Sequence, residues 1–305
     1  MIKQIYSPLK VSKSVWIFFF IVLLTNAAKA DAFSDTTKKQ LLASAKKNAG
    51  FITLEPNIVF PEVLTGNEKE TMPYIEKFSE NRRAYLIRTY TRSKKYFPKV
   101  TAILKKHNLP QELKVLLALE SAFNGNAVSK AGAVGYWQIM DEVAKEYGLK
   151  YVAQEKKQEK KKADKKKGEK TTVVAKNKAK KTATPKDDRK NFNKSTYAAA
   201  RYLKDRSRNL NNNLLLMVAS YNCGIGNVWD AMKKTGKTEP DFWDIKSYLP
   251  AETQAYVMNF ITLNVVFHNY DKFTNNTLLF TPTKVKIENE GSNLTEELSS
   301  KITLN

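Results

Sequence analysis

A mainly α-helical fold is what the sequence predicts, and three observations carry that expectation. Apolar residues recur at helical spacing through Tyr74–Tyr96, Leu113–Glu120, Tyr197–Lys204 and Pro250–Val266. Proline and glycine fall mostly between those stretches, at Pro56, Pro61, Pro73, Gly132, Gly135, Gly224 and Gly226. Only one short run, Leu278 to Ile287, reads as β-like, so no sizeable sheet is expected.

Two segments stand outside any such core. Lys3, Lys10 and Lys13 precede the apolar run Val15–Leu24, and Ala28-Lys29-Ala30 comes before Asp31. A charged start, a short apolar stretch and a small-x-small site form the pattern of a secretory signal peptide, with cleavage after Ala30. About ten apolar residues are too few for a mature membrane span. The expectation is an exported protein of the periplasm or cell envelope. An uncleaved anchor is the alternative, and peripheral membrane contact stays open.

The second segment, residues 154–186, is dominated by lysine and nearly free of large apolar groups. Such a composition cannot offset the entropy of ordering, so a disordered insertion is expected. The whole chain has a formal net charge of +22, or +18 without the four lysines of residues 1–30. Residues 155–190 supply +10 of that, which leaves a folded body that is only mildly basic. The lysine run lacks aromatics for base stacking, and export separates it from chromosomal DNA, so no nucleic-acid partner is expected. Two readings remain: a solvated insertion with no partner, or electrostatic contact with anionic envelope surfaces.

Cys223 is the only cysteine, so no intramolecular disulfide can form, and the hydrophobic core must hold the fold. It reads as a small buried filler. With only His107 and His268 in the chain, a His-rich metal centre or a Ser-His-Asp hydrolase is disfavoured. No metal or cofactor is expected, and the protein is expected to be a monomer.

In chain order, residues 31–100 read as an N-terminal helical extension, including one long amphipathic helix from Tyr74 to Tyr96. Tyr74, Tyr85 and Tyr90 are expected to pack rather than line a cleft. Another helix is expected near Pro98–His107. After the insertion, Ser195 or Thr196 is expected to cap a helix through Tyr197–Lys204. A further helix runs over Asn211–Ser220, and a last one starts at Pro250. Residues 271–305 form a polar tail.

The chemistry concentrates in Leu109–Met140. Leu113, Leu116 and Leu117 place Glu120 on or beside the apolar face of a helix, near its end. Burial disfavours the carboxylate, and so does the negative end of a helix dipole. A carboxyl kept protonated near neutral pH is what general-acid cleavage of a glycosidic bond requires. Taken alone, Glu120 reads first as a solvated helix-end residue.

Glu120-Ser121, the run Ala131-Gly-Ala-Val-Gly-Tyr-Trp-Gln-Ile-Met140, and Ser220-Tyr-Asn-Cys-Gly-Ile-Gly-Asn-Val228 together resemble lytic transglycosylases of the soluble-lytic-transglycosylase type. The resemblance is closest to the membrane-bound murein transglycosylase D group and covers roughly residues 109–270. It implies a lysozyme-like (goose-type) catalytic domain over residues 101–270 that acts on peptidoglycan glycan strands. It also implies that Glu120 is the catalytic acid and base, with no second carboxylate. Asp141 and Glu142 fall at a helix start, where capping accounts for them. By the same resemblance, Ser121, Gln138, Tyr221, Asn222 and Tyr256 contact the substrate or the acid, and Tyr256 is the late tyrosine that reaches the carboxylate. Trp137 is expected beneath the loop. Gly132 and Gly135 would let backbone approach the glycan, or merely turn the chain. Ser220 and Cys223 stand where the family usually has alanine, and Ile139 where it usually has phenylalanine. A lysozyme-like hydrolase and a non-catalytic wall-binding scaffold remain the alternatives.

Overall fold

The computed structural model describes residues 51–153 and 186–286. The signal-peptide pattern, the lysine-rich insertion except Lys186, and the end of the polar tail lie outside the described residues. Of these, residues 58–153 and 186–278 form one compact unit; residues 51–57 and 279–286 belong to a second.

In the second unit, β1 (Phe51–Leu54) and β2 (Thr283–Lys286) pair antiparallel, with Phe51 opposite Lys286 and Leu54 opposite Thr283. Asn57 extends the pairing, its N–H donating to Leu279 O and its Oδ1 accepting from Leu279 N–H. The β-like run at residues 278–287 therefore has a partner that local pattern did not announce, more than two hundred residues away.

The larger unit is helical. It begins with α1 (Glu68–Asn81) and α2 (Arg83–Lys106), separated by Arg82 at φ −124°, ψ 22°. Neither proline ends a helix: Pro73 lies inside α1 and Pro98 inside α2. The expected boundaries at Tyr74, Tyr96 and Pro98 are corrected accordingly. Proline removes one backbone donor, but Ile75, Leu86 and Val100 are fully buried along the same helices, and that packing outweighs the local cost. Arg83 donates to Phe273 O and Thr274 O, answering carbonyls at the end of a later helix. Tyr74 hydrogen-bonds Asn259 and Tyr85 meets Phe78 edge-on, so these two tyrosines pack as expected, whereas Tyr90 stacks on Tyr270 and also lines a cavity.

A 3-10 turn, Gln111–Val115, leads into α3 (Leu116–Ser121). A loop then reaches α4 (Asp141–Glu146). Beyond the insertion come α5 (Phe192–Asn209), α6 (Leu214–Cys223), α7 (Ile225–Lys234), the short α8 (Phe242–Ile245), α9 (Ala251–His268) and α10 (Tyr270–Thr274).

The cap of α5 is Asn191, whose side chain accepts from Lys194 N–H. Ser195 and Thr196 lie inside the helix, buried, and donate back to Asn191 O and Phe192 O, which corrects the expected cap. Likewise α6 starts at Asn213, which accepts from Leu216 N–H.

Helix α9 is the axis of the unit. From Val257 to Val266 it is apolar on nearly every face, and Val257, Phe260, Leu263, Val265 and Val266 are fully buried. A helix apolar all round must be enclosed by others; α1, α3 and α6 pack against it. The described residues contain no helix long and apolar enough to cross a membrane.

Candidate active site

The catalytic helix candidate is short for a physical reason. Leu116, Leu117 and Ala118 are buried, so α3 is fixed by its core face, and then Ala122 and Phe123 both turn left-handed at φ 48° and 65°. Non-glycine residues seldom adopt that conformation, and two in succession end the helix at Ser121. Glu120 is left on its last turn, half-buried.

Burial pushes the Glu120 carboxyl up to about 7, and the hydrogen bond from Tyr256 pulls it partly back. The Tyr256 hydroxyl donates to Glu120 Oε1 from the second turn of α9. Tyr256 and Tyr221 are themselves raised well above the ordinary tyrosine value, by burial first and then by the neighbouring Glu120 charge. Both therefore remain protonated donors wherever Glu120 titrates.

The loop after α3 folds on itself. Val134 forms bridges with Val128 and with Ile139, and Gly135 N–H donates to Ala127 O at 2.8 Å. Ser121 Oγ donates to Tyr136 O at 2.8 Å and so ties the helix end to this loop. Gln138, at φ 46°, donates from Nε2 to Gly135 O and Ala127 O. Its Oε1 accepts from no described residue. Trp137 is 1% exposed and sits beneath the loop, where its Nε1–H donates to Thr196 Oγ1 at 3.0 Å. The Tyr221 hydroxyl donates to Trp137 O at 2.7 Å, which docks α6 on the loop. Asn222 Oδ1 accepts from Thr253 Oγ1 at 2.7 Å.

Glu120 and Tyr256 are thus in direct contact, and Tyr221 is close enough for the Glu120 charge to raise it. Ser121 and Gln138 hold the loop, whereas Asn222 is engaged with α9. Gly135 serves packing rather than a glycan: a Cβ there would lie 2.0 Å from Arg189 O. Asp141 stands in the first turn of α4 but is not its cap; it pairs with Arg189, while Glu142 is exposed. Cys223 is half-buried rather than enclosed, at the end of α6.

Sequence reasoning passed over Arg189. It is fully buried, donates to Asp187, Asp141, Ile139 O and Val152 O, and presses its own carbonyl against Gly135. It stands in the charged run Asp187-Asp188-Arg189-Lys190, where no local pattern marks one cation as internal; burial comes only from the fold.

Residues 99–166 and 171–243 match the family described as Transglycosylase SLT domain. Over 200 residues, 65% of this chain, the sequence is 29% identical to "Membrane-bound lytic murein transglycosylase D" of Escherichia coli K12, and equally to that of a second strain, O6:H1. The chain spans 37% of the length of these relatives. Among solved structures, an inactive mutant of the lytic transglycosylase Slt from Pseudomonas aeruginosa aligns at TM-score 0.39 and 19% identity, over 71% of this chain and 30% of the other. The 70 kDa soluble lytic transglycosylase of Escherichia coli aligns at TM-score 0.39 and 15% identity, over 82% of this chain and 44% of the other.

Proposed function

From the premise that the chain carries a Transglycosylase SLT domain, we propose that it is a peptidoglycan lytic transglycosylase with Glu120 as its acid and base. The observation that carries the reading is the Glu120 carboxyl, raised to about 7 by burial and held by Tyr256. Such a group carries its proton at neutral pH and can also give it up.

Two-carboxylate glycosidases need an acid and a separate nucleophile or base. Here Asp141 is committed to Arg189, so a one-carboxylate, substrate-assisted route fits better. Glu120 gives its proton to the oxygen between N-acetylmuramic acid and N-acetylglucosamine. As that bond breaks, the muramyl acetamido oxygen supports C1. The Glu120 carboxylate then takes the proton of the muramyl 6-hydroxyl, whose oxygen bonds to C1 and releases the acetamido group. The product has a 1,6-anhydromuramyl end, no water is consumed, and Glu120 is again protonated.

Tyr256 orients the carboxyl in this scheme, and Tyr221 supports the opposite wall through Trp137 O. Gln138 offers its open Oε1 to a substrate N–H, with Ser121 holding the loop that presents it and Asn222 fixing α6 to α9. Residues 101–270 form the catalytic domain on this reading, residues 31–100 an extension, and residues 271–305 a tail. The signal pattern of residues 1–30 supports export to the periplasm or envelope, and the lysine-rich insertion supports contact with anionic surfaces there.

Digestion of purified peptidoglycan, with the muropeptides weighed, tests the proposal. Anhydromuramyl ends from the wild type and none from Glu120→Gln are expected. Reducing ends, heavier by one water, would identify a hydrolase instead.

A further inference from the structure

A cavity of about 540 Å³ lies between α2, the 3-10 turn before α3, and the C-terminal half of α9. It shares no lining residue with the Glu120 site. Asn264, which lines it, is eight residues beyond Tyr256 on α9, about 12 Å along the helix axis.

Its composition is that of a ligand site rather than a packing fault. The floor is aromatic: Phe97 meets Phe267, which in turn meets Tyr90 edge-on. Asn264 is 6% exposed and is the lone carboxamide among the buried residues of α9. Its Nδ2 donates to Phe260 O, and no described residue donates to its Oδ1. That oxygen is left open to the cavity, where it can accept an N–H from a guest.

Cations stand over the aromatic rings. Lys94 Nζ lies 5.4 Å from the Tyr90 ring centre, and Lys114 Nζ 5.6 Å from that of Phe97. Neither lysine has a carboxylate partner among the described residues. Glu112 adds one carboxylate to the wall.

We propose that this cavity binds the peptide stem of peptidoglycan, a short acidic peptide whose methyl groups cover the aromatic floor. Its carboxylates pair with Lys94 and Lys114, a backbone N–H answers Asn264 Oδ1, and the side-chain amine of the diamino acid faces Glu112. The choice of ligand rests on the transglycosylase reading; the demand for an anionic, N–H-bearing, partly apolar guest rests on the cavity itself.

Calorimetric titration of the full chain with free L-Ala–D-Glu–diaminopimelate–D-Ala tests this without any turnover. Saturable binding is expected in the wild type and in Glu120→Gln. Lys94→Glu with Lys114→Glu should weaken it at least tenfold, as should Asn264→Leu. A peptide with all carboxylates amidated should bind at least tenfold more weakly. The two lysine changes are at exposed or half-exposed positions, so they remain informative if Asn264→Leu impairs folding. No binding to the wild type, equal binding to the lysine variant, or binding lost only in Gln138→Ala would overturn the proposal. A catalytically silent protein that still binds the peptide would sink the transglycosylase reading and leave the cavity assignment standing.

Discussion

The Tyr256 hydroxyl donates its hydrogen bond to Oε1 of Glu120, joining the second turn of α9 to the last turn of α3. This contact opposes the effect of burial. Burial favours the neutral acid, whereas a donor aimed at the carboxylate favours the anion. Glu120 is therefore poised near 7, where one residue can serve as acid and then as base.

The first prediction is the sign of the pH dependence. Below pH 7 Glu120 holds the proton that the proposed route has it donate, and above pH 7 the acid form is depleted. Activity should fall on the alkaline side with a midpoint near 7, where the carboxyl titrates. Tyr256→Phe removes the group that favours the anion, so the alkaline limb should move to higher pH as the rate falls. A pH–rate profile of both proteins checks this, and a limb that stays in place or moves down would break the assignment.

The same burial makes a stability prediction. Glu120 ionises more readily unfolded than folded, so its favourable contribution is complete below the unfolded carboxylate pKa. It is lost as pH rises toward about 7. Glu120→Gln should therefore be more stable than wild type at pH 8, by on the order of 3 kcal/mol at most, and nearly equal to it at pH 4. Denaturant melts at both pH values measure the difference, and an equal effect at the two would contradict it.

The position of Glu120 on a buried face was legible because Leu113, Leu116 and Leu117 recur at helical spacing. Tyr256 was legible only through a motif, since a lone tyrosine in an apolar helix carries no address. Other features arose from contacts distant in sequence. Trp137 meets Thr196 and Asn222 meets Thr253, pairings no local pattern encodes. The left-handed pair Ala122-Phe123 lacks the glycine or asparagine that would announce it. Pro73 and Pro98 misled because their cost is local while the packing that outweighs it is tertiary.

Glycines at 135 and 224 separate crowding from backbone strain. Both have positive φ, 84° and 83°, but a Cβ at Gly224 meets nothing within 4 Å, whereas at Gly135 it meets the Arg189 carbonyl at 2.0 Å. Gly224→Ala should cost roughly 1–3 kcal/mol from conformation alone. Gly135→Ala should cost clearly more and lower activity, because the loop carrying Trp137 and Gln138 must move. Equal melting curves for the two variants would refute the crowding argument.

Arg189 ties the residues flanking the insertion to that same loop. Val152 O and Asp187 lie on the two sides of the insertion, and Ile139 O and Asp141 end the loop; the one guanidinium binds all four. Replacing it with methionine fills much of the volume but strands the Asp187 side chain, which is 5% exposed. Breaking a buried pair by removing one partner typically costs about 3–5 kcal/mol. Arg189→Met should lose stability of that order, and Arg189→Met with Asp187→Asn should recover part of it, because the second change removes the uncompensated charge. Denaturant unfolding of both variants decides the matter. If the double variant is no more stable than the single one, the cost lies in the hydrogen bonds to Ile139 O and Val152 O rather than in the charge.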